Sequence, residues 1–479
     1  MSKPKLQIIV LFQNLGDEHA YYAKCPSPPL SGILLAGQTP ESVDVEVVHE
    51  MVRPIDYETD ADFIALSFMD FCAPHAYDVA ARFQALGKTV IAGGRYPSTF
   101  TQEVLPHFDV VVAGESETVW PQVVRDLLAG KPEELYRAPF SPALDHIPPP
   151  RYDLVEPVFD VPVVTEATRG CPFGCSYCAL NIRTKPFRTR PVEDVIRDLT
   201  ATADLPFHKR KMAMIYDNNF GGNMKYAKTL LREIAELDLW ALGLQFTFNC
   251  LYDDTFVDLI EQANCTMVFL GLESLNQPSL HAVNKRHNRV SEYREQLLKL
   301  KERGILSFTG MMIALDEDTP EYYHELPDQL EEVDPSAIFL SISIPIPGTP
   351  FAREIEDSGR IVDADLAHYD GDHLVFEPRT VSRDDVLEAF RRIMTTFYSW
   401  PNIGRRWWRL ASTFLRAGRG DRAFFRFLLM TFIYLKLSIF QRDRARQKVS
   451  RAAELGSPGR TRPRPGEAYV RSMPVSRTA

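Results

Sequence analysis

Three cysteines within eight residues, Cys171-x3-Cys175-x2-Cys178, constrain this 479-residue chain more than any other feature. They lie in Thr168-Arg-Gly-Cys-Pro-Phe-Gly-Cys-Ser-Tyr-Cys-Ala, where Gly170, Pro172 and Gly174 build a tight loop rather than a core element. A structural zinc site shows two close pairs, and no second pair follows here. A ferredoxin-type run carries a fourth Cys followed by Pro, but position 182 is Ile. Seven cysteines are too few for a disulfide framework in a chain this long, and no secretory signal precedes them. What remains is an iron–sulfur cubane that takes three protein thiolates and leaves one iron open, and an open iron is where chemistry happens. Cys25, Cys72, Cys250 and Cys265 stand singly in apolar contexts and read as core residues.

The chain is long enough for two or three domains, and its apolar fraction of 45% supports large cores. Over residues 1–140, β-branched runs at 6–12, 43–48, 63–67, 90–92 and 110–112 alternate with helical stretches near 30–37, 74–86 and 117–129. That alternation predicts a doubly wound α/β sheet whose ligand sits at the carboxyl ends of the strands. A Pro-rich linker spans 141–160 and contains Pro148-Pro-Pro150. Over 161–380, six further strand candidates (163–168, 212–216, 244–248, 267–272, 308–313, 338–344) alternate with helices. Six βα units predict a partial barrel with its reactive loops at the C-terminal rim, the Cys loop following the first strand.

The Cys loop resembles the signature of the radical S-adenosylmethionine (SAM) superfamily, including Tyr177 before the third Cys. The resemblance implies that Cys171, Cys175 and Cys178 hold a [4Fe-4S] cluster and that SAM chelates the fourth iron. One electron then cleaves SAM to methionine and a 5'-deoxyadenosyl radical. Tyr177 would lie near the adenine. Asp217 and Asn219 close the second strand where the family touches the SAM amino group, and Glu273-Ser274 closes the fourth in a Gly-x-Glu-Ser run. The run Pro345-Ile-Pro-Gly-Thr-Pro350 matches a family segment and is read as fold evidence alone. Relatives carry Gly-x-Pro-Gly-x-Thr-x-Glu after the fifth strand, where this chain has Ala314-Leu-Asp-Glu-Asp-Thr319-Pro-Glu321. No catalytic acid, base or radical relay is assignable from the sequence.

Residues 1–140 resemble the cobalamin-binding domain that precedes many radical SAM cores. Ser67, Gly93-Gly94 and the run Gly114-Glu115 carry that likeness and imply cobalamin contacts. The loop Asp17-Glu-His19-Ala-Tyr-Tyr22 departs from Asp-x-His-x-x-Gly at its last position, so His19 stands as either a cobalt ligand or a solvated loop residue. A Rossmann-like module without cofactor is the alternative. The leading functional expectation is cobalamin-dependent methylation of an unactivated carbon in a small-molecule or lipid-like intermediate. Cyclisation, rearrangement or oxidation by the same core is the second reading, and tRNA modification the third.

Residues 401–479 hold eighteen Lys/Arg against four Asp/Glu, which leaves the first 400 residues at −24. An anionic partner is expected for the tail, and no nucleic-acid surface for the body. Within the helical region 381–449, the run 423–440 has 14 apolar residues of 18 but is interrupted by Arg426 and Lys436. It reads as a membrane-surface helix or as a cap on the barrel with exposed arginines, and 450–479 as disordered. A cytoplasmic protein, peripheral to the inner face of the membrane and reduced by a flavodoxin or ferredoxin, is the expectation from these features.

Overall fold

The computed structural model describes residues 3–12, 27–139, 142–182, 186–417 and 423–455. His19, Tyr22, Cys25 and the chain beyond 455 lie outside them. Strands β1 (Lys5–Val10), β2 (Asp44–His49), β3 (Phe63–Ser67), β4 (Thr89–Gly93), β5 (Val110–Ala113) and β6 (Leu135–Arg137) form one parallel sheet in the order β2-β1-β3-β4-β5-β6. Side chains alternate between its faces, as a period of two requires. Leu6, Ile8 and Val110 meet α1 (Leu30–Gly37) and α3 (Trp120–Leu128) on one side, while Ile9, Leu66 and Val90 meet α2 (Ala73–Ala85) on the other. The order reverses between β1 and β3, which makes their carboxyl ends the ligand-binding edge of such a sheet. β6 was not anticipated: three residues leave no periodicity to read, and only its pairing with β5 defines it.

The second sheet is also parallel throughout. It comprises β7 (Val163–Thr165), β8 (Met212–Ile215), β9 (Ala241–Phe246), β10 (Cys265–Glu273), β11 (Leu306–Ile313) and β12 (Ala337–Ile342), paired in sequence order. Among the described residues β12 and β7 do not pair, so the barrel is open. Helices α4 (Val192–Thr200), α5 (Met224–Ala235), α6 (Asp254–Gln262), α7 (Gln277–Ala282), α8 (Tyr293–Glu302), α9 (Pro320–Val333) and α10 (Pro350–Asp357) follow the strands. The cluster of buried side chains that holds Ile8, Ile33 and Trp120 continues into Val163, Leu244 and Ile338. One apolar core therefore joins both sheets. The linker contributes to it: Arg151 N–H donates to the Ile33 carbonyl, and Glu156 accepts from the His49 backbone N–H at 2.9 Å.

Helices α11 (Arg383–Phe397), α12 (Trp400–Arg416) and α13 (Ala423–Leu455) complete the chain. The last is one helix through Leu455. Two cations within its apolar run reach toward the barrel. Arg426 donates to the carbonyls of Glu261 and Cys265, and Lys436 pairs with Asp160. Phe424–Asp443 is long and apolar enough to cross a membrane. Spanning would break these bonds and place cations in hydrocarbon, at about 2.5–3.5 kcal/mol each. The barrel floor thus decides the orientation of α13. Above it, the buried Tyr398 hydroxyl accepts from Ile338 N–H at 2.9 Å and donates to the Ile338 carbonyl at 2.5 Å. Tyr398→Phe leaves both backbone groups unpaired and is expected to cost about 1–3 kcal/mol in urea unfolding; an unchanged midpoint contradicts this tie between α11 and β12.

Candidate functional site at the barrel rim

The Cys loop leaves the carboxyl end of β7 and is held from three directions. From the next strand, Asp217 is fully buried and its carboxylate accepts from Ala167 N–H at 2.7 Å, Thr168 N–H at 3.0 Å and the Thr168 hydroxyl at 2.8 Å. Burial pushes its carboxyl up to about 7, while these three donors favour the charged form. From β10 and α7, the segment 283–287 reaches across. Ser176 N–H donates to the Val283 carbonyl, Asn284 donates to the Gly174 carbonyl at 2.7 Å, and the His287 ring stacks on Phe173 at 3.8 Å. Burial, and then the neighbouring Lys285 charge, bring the His287 imidazole down to about 4, so it stacks as a neutral ring. From the last strand, Phe351 N–H donates to the Ser176 carbonyl, and Gly348 packs on Ile182. The Pro345–Pro350 run, read from the sequence as fold evidence alone, is thus a wall of the loop.

Among the described residues, no three His, Cys, Asp or Glu side chains converge closely enough to share a single metal ion. In a cluster each thiolate binds a different iron, so the three sulfurs need not converge on one point. Burial pushes the Cys175 thiol up to about 11 and raises that of Cys178, so both sulfurs call for a cationic partner to ionise. Asn219 is buried with its amide 3.7 Å from the Cys171 sulfur, its oxygen accepting from Thr247 N–H. The residues fit the cluster.

Beside the thiols lies a buried ion pair. Lys285 Nζ is 2.7 Å from Glu273 and 3.3 Å from the Tyr177 hydroxyl. Burial works against the Lys285 charge, yet the Glu273 carboxylate and the Cys175 sulfur hold its pKa above the usual lysine value. Burial first, and Glu273 second, keep Tyr177 protonated. Glu273 adopts φ 66°, a left-handed backbone that turns its side chain back over Gly271. Lys285 and its neighbours escaped the sequence reading because Asn284-Lys-Arg-His287 has the composition of any exposed turn. Two expected SAM residues also brace the rim. Asp217 accepts from the loop backbone, and Ser274 is buried against the Tyr322 hydroxyl at 3.1 Å while accepting from Asn276 N–H. The divergent loop after β11 closes on itself. Ala314 sits at φ 67° where relatives have Gly, and its N–H donates to Tyr323 while Asp318 accepts from Leu315 N–H and Ser279.

The edge of the first sheet meets this rim. Ser67 and Gly93 are register partners at the ends of β3 and β4, and the Ser67 hydroxyl donates to Ser31. A side chain at Gly93 would meet nothing within 4 Å, whereas Gly94 at φ 106° lies against the Phe68 carbonyl. Gly114, at φ 104°, donates its N–H to Ser98. Of the three glycines Gly93 alone has open space beside it, since Gly94 lies against Phe68 and Gly114 against Ala138. Glu115 has arginine partners that the sequence did not disclose. Its carboxylate is bound by Arg188 at 2.7 Å and by Arg169 at 2.9 Å, and Arg169 also pairs with Glu117 and Glu166. Burial opposes the Arg169 charge, but the Glu166 and Glu117 carboxylates raise its pKa far above normal. Glu115 therefore clamps the Cys loop to the first sheet.

Asp217→Ala removes the carboxylate that accepts from the Ala167 and Thr168 N–H groups beside the loop, a loss of about 1–3 kcal/mol. It is expected to lower iron bound per chain after anaerobic reconstitution, with Asp217→Asn intermediate; equal iron in all three forms contradicts the brace.

Known proteins fall in line with this geometry. Residues 165–330 match the Radical SAM superfamily. Over 397 residues the chain is 28% identical to the bacteriochlorophyllide d C-12(1)-methyltransferase of Chlorobaculum tepidum, covering 79% of this chain and 84% of that one. It is 27% identical over 398 residues to the C-8(2)-methyltransferase of the same organism, covering 77% and 85%. The radical S-adenosylmethionine methyltransferase TsrM from Kitasatospora setae, solved with cobalamin and a [4Fe-4S] cluster bound, shares the fold. Its TM-score is 0.62 at 16% identity, over 95% of this chain and 100% of that one. With its three-cysteine loop after the first strand of an open parallel barrel, the chain carries a radical SAM domain at residues 165–330.

Proposed function

We propose that the chain is a cobalamin-dependent radical SAM methyltransferase that methylates an unactivated carbon of a small, largely apolar molecule of the tetrapyrrole or lipid-like class. The observation that supports this reading is the clamp of Arg169 and Arg188 on Glu115, which ties the strand-end loop of the first sheet to the Cys loop. When bound, the cluster and SAM supply a 5'-deoxyadenosyl radical and cobalamin supplies the methyl group. In this reading residues 1–140 hold cobalamin, 161–380 carry the radical chemistry and 381–449 form the helical floor.

In this reading Cys171, Cys175 and Cys178 bind three irons, and Asn219 donates to the Cys171 sulfur. Lys285 and Glu273 form a preorganised charge pair for the amino-acid and ribose portions of SAM, with Tyr177 as a neutral hydroxyl beside them. Ser67, Gly93, Gly94 and Gly114 border the corrinoid. The Pro345–Phe351 wall and the 283–287 segment keep the loop dry. An external one-electron donor of flavodoxin or ferredoxin type is the matching partner, in the cytoplasm. The tRNA-modifying reading loses ground, because Cys72 is buried in the first core and bonded to the Leu11 carbonyl rather than offered to a second cluster.

Anaerobic reconstitution with iron, sulfide and cobalamin, followed by reduction with SAM and an apolar tetrapyrrole, tests the proposal. Equal yields of 5'-deoxyadenosine and S-adenosylhomocysteine are expected, since one SAM is spent on hydrogen abstraction and a second on remethylating cobalamin. Formation of 5'-deoxyadenosine without cobalamin uptake supports cyclisation, rearrangement or oxidation instead. Lys285→Met is expected to raise the KM for SAM about tenfold or more with iron content unchanged; loss of iron with unaltered KM assigns Lys285 to the loop alone.

A further inference from the structure

Helix α13 is apolar on two faces. Its buried positions are Met430, Tyr434, Ser438, Gln441 and Ala445, and the first two pack with Ile403, Leu410 and Phe414 of α12. A second stripe is Phe424, Leu428, Phe432, Leu435 and Ile439, spaced at helical repeats and exposed between 40% and 73%. A soluble cap keeps such a second stripe polar. Alongside, α12 exposes Trp408 at 66% and Trp400 at 55%, and Arg442 stacks over the Trp400 ring at 4.1 Å. Contiguous apolar surface of this size marks an interaction site.

Charge selects the partner. Arg416 and Arg446 are exposed at the two ends of the stripe, and the chain from 401 onward carries eighteen Lys/Arg against four Asp/Glu. Two copies meeting stripe to stripe would oppose these cations, while an anionic surface neutralises them. Aromatic and aliphatic side chains on one face with arginines at its margins are the pattern of a helix lying in a lipid interface. We propose that the exposed face of α12 and α13 docks on an anionic phospholipid bilayer, with α13 parallel to the membrane plane.

This surface is separate from the chemistry at the rim. Three barrel contacts of α13 lie at the amino ends of strands: Cys265 opens β10, Trp240 precedes β9 and its ring meets Phe425, and Asp160 precedes β7. The Cys loop follows the carboxyl end of β7. Docking therefore fixes the floor on the membrane and turns the mouth toward water, so substrate enters from the aqueous side.

Flotation of the reconstituted full-length protein with phosphatidylcholine vesicles, alone or mixed with phosphatidylglycerol, tests this. Binding to the mixed vesicles alone, weakening with added salt, is expected. The exposed triple variant Leu428→Gln/Phe432→Gln/Leu435→Gln is expected to lose vesicle affinity by about tenfold or more while reductive SAM cleavage in solution is retained. Wild-type protein that stays unbound on anionic vesicles overturns the proposal. So does a triple variant that floats like wild type, or a wild-type dimer without vesicle binding that the variant dissolves.

Discussion

Arg169 ties the two halves of this enzyme together. It stands two residues before the first cluster cysteine and is bound by Glu166 from its own segment and by Glu115 and Glu117 from the first sheet. Arg188, on the strand that pairs with Thr168–Arg169, takes the other oxygen of Glu115. A buried ion network contributes little net stability, because desolvation offsets most of the Coulomb gain, but removing one partner leaves an uncompensated charge. Its effect is on position. The arrangement that satisfies these charges holds the Glu115–Glu117 loop of the first sheet against the Cys loop.

Everything at the rim follows from holding that loop. Asp217 fixes its entry, Asn219 touches its first sulfur, and the segment 283–287 presses on its tip through a neutral His287 ring. The Lys285–Glu273 pair sits where the thiols leave a deficit of positive charge, and so links strand β10 to the cluster electrostatically. Proximity of two cofactor sites is a property of the fold before it is a property of any substrate.

The strands and the cysteines were legible in the sequence because both signals are local. Runs such as Val110-Val-Val112 and Phe308–Ile313 are buried on both faces and read as continuous apolar segments. Lys285 was not legible, since its meaning comes from a turn that brings it to Tyr177, 108 residues earlier. Glu115 was legible as a strand-end residue, but the partner that claims it lies in another domain. The orientation of α13 was hidden for a further reason. Helical periodicity divides the helix into faces, yet only the carbonyls of Glu261 and Cys265 and the carboxylate of Asp160 decide which face turns inward.

The central claim is that three cysteines leave one iron of a [4Fe-4S] cluster open to SAM. Electron paramagnetic resonance of the reduced, reconstituted protein before and after adding SAM tests it most directly. The account predicts that SAM shifts the g values of the reduced cluster, because the amino acid enters the coordination sphere of the open iron. A full cluster signal that is identical with and without SAM would contradict it.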